Sequence, residues 1–241
     1  MDKGLQFGAI RFSALHRAPL MAYSGQMKHV VTVNAQFVIE SEQSSRFREI
    51  INNNWATVDG QVVYYLLKRR YKTETFEKIA GSDFIYDVCR KAKAEGKRVY
   101  LLGGKEVSNV GAVAKLREQF GIEVDGFSPA YSPYPFSTEL NQQIMAKIRA
   151  FKPHYLFVGF GVLKQEFWID DHRAELEAMG VELAVGCGGT MEFVSGKFKR
   201  APVWVQKIGM EGVFRLITDP QMARVHRLIQ SFKVLKYLFK R

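Results

Sequence analysis

Five apolar runs in this chain end in glycine or in a small polar residue. They offer Thr32 and Asn34 after KHVV, Asp59 and Gly60 after WATV, Gly103 and Gly104 after RVYLL, Gly159 and Gly161 within HYLFVGFG, and Gly188 and Gly189 after VELAVGC. Glycine leaves no Cβ between a backbone N–H and a ligand. A helix that starts just beyond turns its positive end to the same place, so the pattern suits phosphate or diphosphate. Any one pair could equally be a tight strand-to-helix turn, but five point to a ligand edge. Asp59 puts a carboxylate at that edge, where it could act on a proton or cap the helix expected from Gln61.

Several familiar chemistries are excluded. Gly159-x-Gly161 runs on into Val162, Leu163 and Lys164, and no acidic strand end follows at the distance a dinucleotide ribose needs. No glycine precedes a Lys-Ser or Lys-Thr pair as in a P-loop, and there is no DxD, no HExxH and no clustered His/Cys set, so no metal is expected. Asp170, Asp171 and His172 adjoin within a predicted helix and therefore point in different directions.

The elements that must position these residues follow from hydrophobic periodicity. Strands over 28–35, 55–60, 98–104, 122–127, 154–161 and 181–189 alternate with helical patterns over 37–51, 62–70, 106–120 and 164–179, and a loop carries Pro129, Pro133 and Pro135. Apolar strands alternating with amphipathic helices predict an α/β, Rossmann-like fold: a mainly parallel sheet with helices on both faces. The basic, proline-marked KFKRAP stretch divides a core at 1–196 from a basic helical C-terminal appendage at 197–241.

Charge is uneven across that division. The chain has 241 residues and a net charge of +11; residues 197–241 hold eleven basic and two acidic residues, residues 1–196 hold 24 and 22. From Met222 onward apolar residues recur every three or four positions among Arg224, Arg227, Lys233, Lys236 and Lys240, which predicts a basic amphipathic helix suited to an anionic membrane surface. A non-catalytic basic module for nucleic acid or an anionic membrane is the alternative. The zinc-finger spacing and RNP-like strand of nucleic-acid binders are missing, so no nucleic-acid partner is expected. Cys89 and Cys187 form no CxxC pair, and the N-terminal stretch lacks the apolar core of a signal peptide, so a cytoplasmic, reducing setting is expected.

The motifs TVNAQ (32–36), VDG (58–60), AGSDF (80–84), LLGG (101–104), GFGVLKQEFWI (159–169), GGTMEFVSGKFKRAP (188–202) and GMEGVFRL (209–216), in that order, resemble those of the WecG/TagA/CpsF glycosyltransferases. The resemblance implies an inverting, metal-independent transfer of a sugar from a UDP-sugar to a polyprenyl-diphosphate-linked acceptor sugar, commonly of N-acetylmannosamine or its uronic acid. No cofactor is implied beyond the UDP-sugar co-substrate. Asp59 matches the family's general base, with Asp83, Glu166 and Glu192 the other carboxylates in range. Thr32, Asn34, the glycines at 103, 104, 159, 161, 188 and 189, Lys164, Gln165, Lys199 and Arg200 fall to substrate binding. Arg215, Arg224 and Arg227 fall to membrane or lipid-diphosphate contact at the inner face of the cell membrane, and a homo-oligomer is left open. The chain departs from the family pattern at Leu163, where proline is usual, at Lys78, where arginine is usual, and at Gly212, where tryptophan is frequent.

Overall fold

The computed structural model describes residues 4–198, 201–202, 205, 210–218, 225, 229 and 232–238. Two three-residue strands, β1 (Leu5–Phe7) and β2 (Ile10–Phe12), pair antiparallel with Leu5 opposite Phe12. The chain continues through α1 (Arg17–Met21), β3 (Lys28–Val33), α2 (Ala35–Gln43), α3 (Ser45–Asn53), β4 (Trp55–Val58), α4 (Gln61–Arg70) and α5 (Gly81–Glu95). Then come β5 (Val99–Gly103), α6 (Glu106–Phe120), β6 (Val124–Phe127), α7 (Thr138–Phe151), β7 (Tyr155–Gly159), α8 (Lys164–Asp171), α9 (Arg173–Ala178), β8 (Leu183–Gly186) and α10 (Thr190–Val194). Helix α11 (Glu211–Thr218) and a 3-10 turn (Val234–Leu238) close the described chain.

Strands β3 to β8 form one six-stranded sheet in the order β4-β3-β8-β7-β5-β6, and the pairings β3–β8, β8–β7, β7–β5 and β5–β6 are parallel. This is the expected Rossmann-like α/β fold. The chain falls into two compact units, one of Met1–Arg17, Thr32–Ala80 and Arg200–Arg241, the other of Ala18–Val31 and Gly81–Lys199, so the division passes through β3.

In the second unit β5, β7 and β8 are buried almost end to end, because helices cover both faces of the sheet. Leu102, Leu156, Val158 and Ala184 pack with Ile144 and Ile148 of α7 and Trp168 and Ile169 of α8, all fully buried. Each such aliphatic or aromatic side chain contributes roughly 1.5–3 kcal/mol through burial. In the first unit the core gathers Phe7, Phe12, Phe47, Ile51, Val58, Leu67 and Ile79. The 3-10 turn seats Tyr237 against Phe7, ring centroids 5.0 Å apart, and Lys236 pairs with Glu42 at 2.6 Å.

Two predicted helices divide. The pattern over 37–51 is α2 and α3, because extended Ser44 closes one helix with its N–H on the Glu40 carbonyl and opens the next by accepting the Phe47 N–H on its hydroxyl. The helix over 164–179 breaks at His172, whose ring stacks on Trp168 at 4.7 Å and bonds back to the Trp168 carbonyl. The hairpin and α7 add to the predicted elements; α7 follows the proline loop with Ser137 as its cap, accepting the Leu140 N–H.

At the edge where the strands begin, charges are matched. Glu95 accepts from Lys91, Lys97 and the Tyr155 hydroxyl, and Lys97 also bonds Glu182 at 2.6 Å. Chiefly through the Lys91 bond, the Glu95 carboxyl is held down to about 2. His29 on β3 is different: it is fully buried and neither ring nitrogen has a partner among the described residues. Burial, with a smaller push from Arg173, lowers its imidazole to about 3. The folded state thus refuses a proton that the unfolded chain accepts near pH 6.5, so stability falls as pH drops from about 6.5 toward 3, by at most about 1.4 kcal/mol per pH unit. His29→Phe should therefore gain on the parent steadily below pH 6.5 in urea unfolding; parallel curves from pH 7 to 4 would show that His29 is not the group responsible.

Candidate active site

In the first unit the carboxyl ends of β3 and β4 carry the polar residues. Asn34 caps α2, its Oδ1 accepting the N–H groups of Gln36 at 2.9 Å and Phe37 at 3.4 Å, while Thr32 is buried. Asp59 follows β4 with its N–H on the Val33 carbonyl at 2.9 Å. The cap position of α4 belongs to Gly60, whose φ of 94° suits glycine and which has no side-chain cap bond. Asp59 thus stands one residue outside the capping position. The segment after Phe76 runs beside this end, Ile79 N–H bonding the Val58 carbonyl at 2.8 Å, and Lys78 Nζ reaches Gln61 Oε1 at 2.9 Å. That places a cation at the start of α4, two residues beyond Asp59. In the sequence Lys78 stands out only as a position where arginine is usual in the resembled family.

In the second unit the turns after β5, β7 and β8 are locked together. Gly104 N–H bonds the Gly159 carbonyl at 3.0 Å, and Ser128 and Asn109 both donate to the Gly103 carbonyl at 2.9 Å. A Cβ on Gly103 would meet Phe160 at 2.8 Å, and one on Gly159 would meet the Gly188 carbonyl oxygen at 2.7 Å. These two glycines are needed for packing. Gly161 and Gly188, at φ 90° and 51°, have open space where a Cβ would stand. Phe136, Phe160 and Trp168 stack edge to face beneath, at 5.0 and 5.7 Å.

Gln165 and Glu166 point inward. Gln165 is 1% exposed and Glu166 fully buried. Gln165 Oε1 accepts the N–H of Gly161 at 3.2 Å and that of Gly188 at 3.1 Å, and its Nε2 donates to Glu166 Oε1 at 2.7 Å. Glu166 Oε2 accepts the Leu163 N–H at 3.0 Å. Leu163 holds φ 72°, a conformation that proline cannot adopt, and donates an N–H that proline lacks. The family departure at this position thus has a defined local effect. Lys164 turns the other way, onto the Ser132 carbonyl at 2.8 Å and over the Tyr131 ring at 4.2 Å.

Burial pushes the Glu166 carboxyl up to about 8, the bonds from Gln165 and Leu163 offsetting only part of that shift. It likewise raises the Cys187 thiol, beside the Val158 carbonyl. Glu192 Oε2 lies buried with no hydrogen-bond partner among the described residues, 3.5 Å from where a Cβ on Gly189 would stand.

The structure therefore draws Thr32, Asn34, Asp59 and Gly60 to one pair of strand ends. It joins Gly103, Gly104, Gly159, Gly161, Gln165, Gly188 and Gly189 at another set. Lys199, Arg200, Arg224 and Arg227 lie outside the described residues; Arg215 falls within α11, its side chain undescribed. No group of three potential metal ligands occurs among the described residues, and no described helix is long and apolar enough to cross a membrane.

Two outcomes follow. Gly159→Ala should lower stability by about 1–3 kcal/mol, since backbone must shift to admit the Cβ; unaltered urea unfolding would contradict the close approach. Glu166 keeps its proton to about pH 8 when folded but loses it near 4.5 when unfolded, so its contribution becomes less favourable as pH rises between those values. Unfolding of the parent and of Glu166→Gln at pH 5 and 9 should show the stability difference moving toward the variant at the higher pH.

A family model described as "Glycosyl transferase WecG/TagA/CpsF family" matches residues 4–241, and the chain belongs to that family. Its members are glycosyltransferases of cell-surface polysaccharide synthesis, using in general a nucleotide-sugar donor and a lipid-linked sugar acceptor.

Proposed function

We propose that this member of the WecG/TagA/CpsF family transfers N-acetylmannosamine, its uronic acid or a related hexose from a UDP-sugar to a polyprenyl-diphosphate-linked acceptor sugar, with inversion and without a metal. Asp59 is the base. Its carboxylate takes the proton of the acceptor hydroxyl as that oxygen bonds to the anomeric carbon, and the bond to UDP breaks with its electron pair leaving on the diphosphate. The observation that supports this most is the place of Asp59 at the carboxyl end of β4, its N–H on the Val33 carbonyl and Gly60 taking the cap position of α4. Thr32 and Asn34 border the same strand ends, and Lys78 supplies a nearby cation.

The diphosphate belongs with the turns after β5, β7 and β8, where glycines leave room, and Lys199 and Arg200 offset its charge. Lys164, bound to the Ser132 carbonyl, reaches it by letting go of that loop. Arg215, Arg224 and Arg227 meet the lipid diphosphate or an anionic membrane at the cytoplasmic face, each near-surface cation adding on the order of 1 kcal/mol.

UDP should bind with a chelator present, as titration calorimetry would show; a requirement for a divalent cation would refute the metal-free reading. Asp59→Asn should fold and bind UDP yet lose about 100-fold or more of turnover, measured as UDP release with a lipid-linked acceptor; near-normal turnover would remove Asp59 as base. Replacing Arg224, Arg227 and Lys240 with glutamine should weaken binding to anionic vesicles while leaving neutral vesicles unaffected. Unchanged binding to anionic vesicles would locate the membrane contact elsewhere.

A further inference from the structure

We infer that Glu166 is a positioning residue: acting through the Gln165 amide, it sets the spacing of the turns after β7 and β8 that receive the donor diphosphate. The inference rests on the diphosphate reading given above.

One amide oxygen receives two backbone N–H groups from turns 27 residues apart in the chain, those of Gly161 and Gly188. An oxygen can do this only if the amide does not rotate. A half-turn about the last side-chain bond would set the NH2 of Gln165 against both N–H donors. Nothing in the two glycines prevents it, since neither has a side chain. The restraint comes from the other end, where Gln165 Nε2 donates to Glu166 Oε1 at 2.7 Å. Glu166 is itself fixed, its second oxygen holding the Leu163 N–H at 3.0 Å, and Gly186 lies so close that a Cβ there would stand 2.5 Å from Glu166 Oε1.

The chain of bonds thus runs from Leu163 through Glu166 and Gln165 to both glycine turns. The Gln165–Glu166 link at its centre is buried and the bonds to Leu163, Gly161 and Gly188 are partly so, and failure at the centre leaves polar groups without water to replace their partners. The chain of bonds also reassigns the two glycine N–H groups. Those of Gly161 and Gly188 are spent on Gln165, and what the clamp provides to a ligand is the open space beside them and the Gly189 N–H, which has no partner among the described residues. The raised carboxyl of Glu166 agrees with a group held for its position and away from solvent.

Both carboxyl oxygens of Glu166 accept, and in the neutral acid the hydroxyl oxygen keeps lone pairs for this; an amide nitrogen has none, so Glu166→Gln is not conservative and either Gln165 or Leu163 must then face an NH2. The exchanged pair Gln165→Glu/Glu166→Gln can remake every bond, with residue 165 accepting from both glycines and from the amide at 166, which accepts from Leu163. The experiment measures amide hydrogen exchange at Gly161 and Gly188 by NMR, with Val158 and Val185 as core references, and UDP affinity by calorimetry.

Glu166→Gln should exchange at least about 10-fold faster at both glycines with the references unchanged, and should bind UDP at least about 10-fold more weakly, the loss expected for one buried hydrogen bond. The exchanged pair should recover slow exchange. Parental exchange rates or parental UDP affinity in Glu166→Gln would overturn the inference. If that variant does not fold, the exchanged pair decides alone: slow exchange at both glycines supports the clamp and fast exchange overturns it. A parent protein that binds no UDP would refute the donor reading, while the exchange rates would still judge the clamp.

Discussion

The helices on both faces of the parallel sheet impose one constraint from which much else follows. Strands β5, β7 and β8 have no solvent-facing side, so their side chains are spent on packing and polar chemistry must sit at the strand ends. The two ends are used differently. Where the strands begin, lysines, glutamates and tyrosines pair with one another, as Lys97 does with Glu95 and Glu182. Where they finish, backbone and glycine dominate, and the amides of Asn34, Gln165 and Asn109 are engaged there with backbone groups. A strand end that must admit a ligand cannot also be filled by its own side chains, so its turns are held by amides reaching in from the following helix.

The fold was legible because that constraint writes itself into sequence. Short apolar runs stopped by glycine or a small polar residue and alternating with helical patterns mark buried strands, and β3, β5, β7 and β8 carry that signal. The β1–β2 hairpin does not, since three-residue strands are too short to show an alternation. The division at Ser44 was hidden because the apolar spacing continues across it, and only the cap chemistry of serine marks the break. At the candidate site, residue identity was legible but direction was not. Gln165 follows a glycine turn and reads as a substrate-binding donor, and Glu166 as a carboxylate in range of the site, yet Trp168 and Ile169, three and four positions beyond Gln165, are fully buried. A helix that puts those two inward carries Gln165 with them. That neighbourhood was the available signal, and polarity outweighed it.

Two buried ionisable groups pull the pH response in opposite directions. His29 resists taking a proton and Glu166 resists releasing one, both because the interior disfavours charge. The first lowers stability as pH falls from about 6.5 toward 3 and the second as pH rises from about 4.5 toward 8, so the two together favour a stability maximum between about pH 4.5 and 6.5. Neither effect involves an ion pair, so added salt should screen them little compared with the partly exposed lysine and glutamate contacts at the opposite edge.

The glycines at the strand ends differ in how freely evolution can use them. Gly103 and Gly159 are hemmed in by neighbouring atoms, and Gly161 and Gly188 have room but a backbone conformation that other residues rarely adopt. Gly189 alone combines an ordinary φ of −82° with a nearest neighbour no closer than 3.5 Å. A side chain can therefore be added at position 189 with little disturbance of the scaffold, whereas changes at the other glycines of these turns need compensation elsewhere. Tolerance to substitution is thus concentrated at one point of this set of turns, the start of α10.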